Sequence, residues 1–124
     1  MLKVDTKEKF SVVHLTDGAF TVNVAGDLTT FVTKQLSEPV KNVIVDFANV
    51  KTAEENALAD IASIHQIAYT NNASFVLFGL NDTIKNSLNE LDLLEVLNIT
   101  PTESEAWDIV QMEEIERELL SDEE

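Results

Sequence analysis

Apolar positions along this 124-residue chain follow two rhythms, one of period two and one of helical spacing. "FSVVHL" (10–15) and "FTVNVAG" (20–26) flank the short turn "TDGA". In the second segment Phe20, Val22 and Val24 alternate with Thr21 and Asn23, the signature of a half-buried strand. The pair predicts a hairpin. "LTTFVTKQLSEPV" follows, with Leu28, Phe31, Val32 and Leu36 at helical spacing and Pro39 closing the segment. "NVIVDFANV" (42–50) is nearly continuous in apolar residues, as expected of a central strand covered on both faces.

"TAEENALADIASIHQIAYTNN" carries one apolar helix stripe through Leu58, Ile61, Ile64 and Ala68. "SFVLFGL" (74–80) reads as a second buried strand. "NDTIKNSLNELDLLEVL" (81–97) opens with N-cap residues and sets Ile84, Leu88 and Leu91 on one face. "NITP" predicts a short edge strand limited by Pro101. "TESEAWDIVQMEEIERELL" predicts a last helix opened by a Thr102/Glu105 capping box. Trp107, Ile109 and Val110 should anchor it, with the charges from Glu113 onward in solvent.

Two strands joined through a helix, twice in succession, imply right-handed crossovers and a largely parallel sheet. The fold class is α/β with one mixed sheet. A single domain over 1–112 is expected, followed by an acidic helix end and frayed tail over 113–124.

Charge sharpens this picture. The formal net charge is −15, which argues against nucleic acid or an anionic membrane surface as partner. From Asp82 onward there are 14 acidic and 2 basic residues, either a solvated acidic face or a docking surface for a basic partner. Cysteine is absent, excluding disulfides and thiolate metal sites. No apolar run spans a bilayer and "MLKVDTKEKF" has no signal-peptide core, so a soluble cytoplasmic protein is expected.

The usual catalytic constellations are missing. Three glycines form neither a phosphate loop nor a dinucleotide fingerprint. His14 and His65 are too few for most histidine metal sites and read as packed or rim residues. Glu54 and Glu55 are adjacent and do not share a helix face, which makes them a poor acid/base pair. The expectation is a non-enzymatic protein with no cofactor and no metal.

The element order together with "VIVDFANVKTAEENALADI" resembles the STAS domain family, which includes the bacterial anti-sigma factor antagonists. Its characteristic segment is a buried strand ending in Asp-Leu-Ser-x-Val, then Asp-Ser-Ser-Gly-Leu-Gly opening a helix. Asp46-Phe47-Ala48-Asn49-Val50 and Glu54-Glu55-Asn56-Ala57-Leu58-Ala59 stand at those places. "VAGDL" (24–28) is similar to the family's Gly-Glu-Leu, and "TESEAWDIV" to the opening of its final helix.

The resemblance implies a STAS-like mixed sheet of four or five strands with helices mainly on one face. Val43, Val45, Phe75, Leu77, Ile61 and Leu88 should be buried. It also implies a protein-interaction module whose partner is an anti-sigma factor that is also a serine kinase, or another regulatory ATPase. The family's phosphoacceptor serine corresponds to Glu55, its preceding acid to Glu54 and its glycine to Ala57. The implied partner-binding residues are Asp27, in a Gly26-Asp27 loop, with Thr52, Glu54, Glu55 and Asn56.

Glu55 has no hydroxyl to phosphorylate, and two readings stand side by side. Its carboxylate imitates part of the phosphate's charge, one unit against about −1.5 to −2. Alternatively Thr52-Ala53-Glu54-Glu55 is a capping box in which Glu55 reaches back to the Thr52 amide. Two other function classes compete with the interaction module. One is a STAS accessory subunit or ligand- and lipid-sensing module partnering a transporter ATPase. The other is an enzyme using Glu54, Glu55 and His65.

Overall fold

The computed structural model describes residues 2–122, with side chains through Leu120. Its first strand lies ahead of the first segment marked by the sequence pattern. β1 (Leu2–Thr6) runs antiparallel to β2 (Ser11–Leu15), with Leu2 opposite Leu15 and Thr6 opposite Ser11. Lys7 N–H donates to the Phe10 carbonyl at 2.8 Å and closes this hairpin.

The hairpin expected between residues 10–15 and 20–26 does not form. Only Ala19–Phe20 is extended there, as β3. Thr21 then caps α1 (Val22–Gln35), its Oγ1 accepting from Val24 N–H at 3.3 Å. Helical spacing wins because Val24, Leu28 and Val32 recur every fourth residue, and all three are buried. Val22, which the strand pattern would have buried, is 48% exposed. Gly26 and Asp27 accordingly sit inside α1, not in a loop.

The remaining elements are β4 (Val43–Asp46), β5 (Thr52–Ala53), α2 (Glu55–Thr70), β6 (Phe75–Phe78), α3 (Asp82–Glu90), β7 (Asn98–Thr100) and α4 (Glu103–Asp122). The main sheet has five strands in the order β1-β2-β4-β6-β7, and every neighbour pair except β1–β2 is parallel. β3 and β5 form a separate two-residue parallel ladder. Val45 sits between Val13 and Leu77 in register, and the three side chains point to one face.

On that face they meet Leu28, Leu58, Ile61, Ile84 and Leu88, so α1, α2 and α3 share one layer. Val12, Ile44 and Val76 point the other way and are covered by Ala106 and Val110 of α4, with Phe10 stacked on Trp107 at 4.7 Å. Three helices therefore lie on one face and one on the other. The expected core residues Val43, Val45, Phe75, Leu77, Ile61 and Leu88 are all buried. Among the described residues no helix is long and apolar enough to cross a membrane.

Helix α4 begins with half of the expected capping box: Thr102 Oγ1 accepts from Glu105 N–H at 3.3 Å, but the Glu105 carboxylate accepts from the Thr102 hydroxyl at 3.1 Å and not from its backbone amide. Trp107 and Ile109 are partly buried around Val110. The charges from Glu113 onward do not all remain in solvent, however. Tyr69 donates its hydroxyl to Glu113 at 2.7 Å, Asn42 donates to Glu114 at 3.0 Å, and Arg117 donates to Ser74 Oγ at 2.7 Å. The inward stripe of α4 continues past Val110 through these positions, where it meets the polar entries to β4 and β6 instead of the apolar sheet face. The Glu113 contact and burial together push the Tyr69 hydroxyl well above its usual pKa, burial being the larger cause.

Deleting residues 118–124 is therefore expected to change stability by less than about 0.5 kcal/mol in chemical denaturation, as for other exposed surface changes. Truncation after Met112 should cost about 1–3 kcal/mol, because Asn42, Ser74 and Tyr69 lose partners. Equal losses from the two truncations would show that the tail itself packs.

Candidate functional site

The end of the sheet at which the parallel strands finish gathers the starts of all four helices, and the small β3–β5 ladder holds those of α1 and α2 together. Lys51 and Thr52 N–H groups donate to the Gly18 carbonyl at 2.7 and 3.2 Å, and Glu54 N–H donates to the Phe20 carbonyl at 3.0 Å. Beneath the ladder Phe20 and Phe47 pack as fully buried rings with centroids 5.2 Å apart. The start of α2 is thus pinned by backbone bonds above and an aromatic pair below.

Glu54 is the N-cap of α2 by backbone conformation, with φ −79° and ψ 142°, but its side chain does not cap its own helix. Its Oε1 instead accepts from Val22 N–H at 2.9 Å, in the first turn of α1. A carboxylate there satisfies an otherwise orphaned amide at the positive end of the α1 dipole. Asn81 makes the third link. Its Oδ1 caps α3 by accepting from Ile84 N–H at 2.9 Å, while its Nδ2 donates to the Lys51 carbonyl at 3.1 Å. Gly79 permits that turn: its φ is +78°, and an added Cβ would meet Ala48 N at 3.2 Å.

Glu54→Ala should therefore destabilise the protein by about 0.5–2 kcal/mol, the range for loss of a helix cap. Glu54→Gln, which retains the acceptor, should recover most of that in the same denaturation measurement. Equal losses from both variants would mean that charge, and not the hydrogen bond to Val22, is what matters.

The Thr52–Glu55 capping box is absent. Thr52 is exposed and extended in β5, and among the described residues no side-chain hydrogen bond engages the Glu55 carboxylate. The capping carboxylate is Glu54 and not Glu55, and it serves α1 instead of α2. Glu55 and Asn56 are both exposed in the first turn of α2. Ala57, next along, is completely buried. Thr52, Glu54, Glu55 and Asn56 therefore form one contiguous exposed edge. Asp27 is exposed but lies about 7 Å along α1 from its start, at 1.5 Å per residue.

Nor does the structure assemble the alternative triad of Glu54, Glu55 and His65. His65 lies ten residues further along α2 than Glu55, about 15 Å away. Its ring packs tilted against Tyr69 with centroids 4.5 Å apart, and burial lowers its pKa against a smaller opposing effect of Glu113. His14, at the opposite side of the sheet, lies between two carboxylates: Nδ1 is 2.7 Å from Asp46 and Nε2 is 3.2 Å from Asp5.

What this geometry offers is an exposed, rigidly held helix start, and among the described residues Glu54, Glu55 and His65 do not converge. Together with the sheet order it defines a small α/β domain that presents a surface. The sequence matches the STAS domain over residues 1–106, and the chain belongs to that family. No curated protein sequence matches the chain.

Solved structures agree on the fold. A Thermotoga maritima protein assigned as an anti-sigma factor antagonist superposes with a TM-score of 0.74 at 19% identity, covering 89% of this chain and 94% of the other. A serine-to-glutamate variant of RsbS from Moorella thermoacetica gives 0.74 at 15% identity, with 89% and 94% coverage. A sulfate transporter family protein from Wolinella succinogenes gives 0.74 at 15% identity, with 88% and 90% coverage.

Proposed function

We propose that this STAS domain is a non-enzymatic regulatory module that binds a protein partner through the start of α2, with Glu55 standing at the phosphoacceptor position. The partner class is an anti-sigma factor with serine kinase activity, or another regulatory ATPase. The observation that carries this reading is the exposed Glu55 carboxylate. It occupies the first helical position after Glu54, is not consumed by a capping bond, and rests on a fixed scaffold.

A permanent carboxylate at this place sets a fixed charge where the family's serine would alternate between neutral and phosphorylated forms. The interaction is then governed by the partner's own state and abundance. Affinity capture from the native host, using the wild type and Glu55→Lys, tests the reading. A regulatory ATPase retained by the wild type and lost from the variant is expected. Retention of the same proteins by both would place the docking face elsewhere.

A further inference from the structure

Strand β1 ends the main sheet, and its outer edge carries a pattern that matches itself. Its sequence Leu-Lys-Val-Asp-Thr has Val4 at the centre, with Lys3 and Asp5 on either side. Lys3, Val4, Asp5 and Thr6 are all exposed, Val4 by 39%. Among the described residues, β2 is the only strand paired with β1.

The hairpin register decides which backbone groups are free. Lys7 donates to Phe10, so that pair is a hydrogen-bonded one. Pairs alternate along an antiparallel ladder, which makes Asp5–Val12 and Lys3–His14 the other hydrogen-bonded pairs. Ser11 N–H confirms the phase by pointing away from β1, to the Asn42 carbonyl at 2.9 Å. The N–H and C=O groups of Leu2, Val4 and Thr6 therefore point outward from the sheet, in the arrangement that accepts another strand.

We propose that this edge pairs with the β1 edge of a second copy of the chain, antiparallel about a two-fold axis at Val4. In that register Val4 faces Val4 of the second copy, and its outward N–H and C=O groups are exchanged reciprocally. Lys3 of each copy then lies opposite Asp5 of the other, giving two symmetric opposite-charge pairs. Such self-complementarity is what an isologous two-fold contact requires.

Charge supports the same occupant. In a chain of net charge −15, the stretch from Leu2 to Phe10 carries three lysines against Asp5 and Glu8. Two copies meeting here therefore avoid the repulsion between the acidic stretches. The open face is also prepared, because His14 Nε2 holds the Asp5 carboxylate at 3.2 Å and is itself braced by Asp46. α4 packs on β4, β6 and β7, while Lys3 and Asp5 on this side of β1 are exposed. A contact of five residues per strand falls at the small end of interface sizes, below about 1,200 Å², so the dimer is reversible and concentration-dependent.

Sedimentation equilibrium of the full chain up to about 1 mM, a range in which weak interfaces assemble, reads this directly. The wild type should show a monomer–dimer equilibrium. Val4→Pro removes an outward N–H that β2 does not use, so the variant should keep its circular dichroism spectrum and lose the dimer. Lys3→Asp should weaken association by roughly tenfold or more, since two pairs change sign together. The double variant Lys3→Asp/Asp5→Lys should regain it. Lys3→Asp is a surface change and keeps the test decisive if Val4→Pro does not fold. A wild type that stays monomeric throughout overturns the proposal. So does a dimer indifferent to these substitutions, or one that the charge-swapped double variant fails to restore.

Discussion

Phe47→Ala is expected to lose about 3–5 kcal/mol of stability, the range for a fully buried aromatic truncated in a core. The ring is completely buried, packs 5.2 Å from Phe20, and lies under the ladder that carries the start of α2. The loss should be larger than for Leu91→Ala, whose side chain is only partly buried against the same core. Chemical denaturation of the two variants measures this. The consequence reaches function, because the ladder bonds from Gly18 and Phe20 to residues 51, 52 and 54 depend on that packing. A loss below about 1 kcal/mol would show that the cavity collapses and that the aromatic pair does not support the site.

The second large effect is expected in binding rather than in folding. Glu55→Gln removes one charge from an exposed position with no side-chain bond to lose, so stability should move by less than about 0.5 kcal/mol. If the partner reads the carboxylate, its affinity should change by roughly tenfold, about 1.4 kcal/mol, within the range for one charged hydrogen bond. Titration calorimetry with the partner captured from the host separates the two quantities. Unchanged affinity would leave Glu55 as a bystander at the helix start.

Much of the fold was legible because long apolar runs and four-residue spacings are local signals. β4 and β6 announce themselves as continuous apolar segments, α2 as an apolar stripe, and α3 and α4 as helices opened by recognisable caps. Two elements were not legible in this way. β1 is exposed in four of its five residues, so no apolar pattern marks it, and only pairing with β2 reveals it. α1 was obscured because Phe20, Val22 and Val24 satisfy a period of two locally, while Val24, Leu28 and Val32 satisfy a helical period over a longer span.

The site divides in the same manner. Its position in the chain is readable from the segment after "VIVDF", and Asn81 is recognisable as a cap. The use of Glu54 is not readable, since its partner Val22 lies 32 residues away and belongs to a helix the alternation concealed. Glu55 has no capping duty because α2 begins at Glu55 itself: Glu54 is the N-cap residue, and Thr52 lies two residues ahead of it in β5, out of capping-box spacing.

On the proposed reading, the start of α2 is a phosphorylation-type docking face that carries a fixed carboxylate at the acceptor position. Glu55→Ser restores a hydroxyl at the first helical position without disturbing the Glu54–Val22 bond. The wild type and this variant, each incubated with the captured partner and ATP, can be compared by intact mass and fragment mapping. One phosphate is expected at residue 55 in the serine variant and none there in the wild type. An unmodified serine variant, or a wild type phosphorylated at the exposed Thr52 or Ser63, would contradict it.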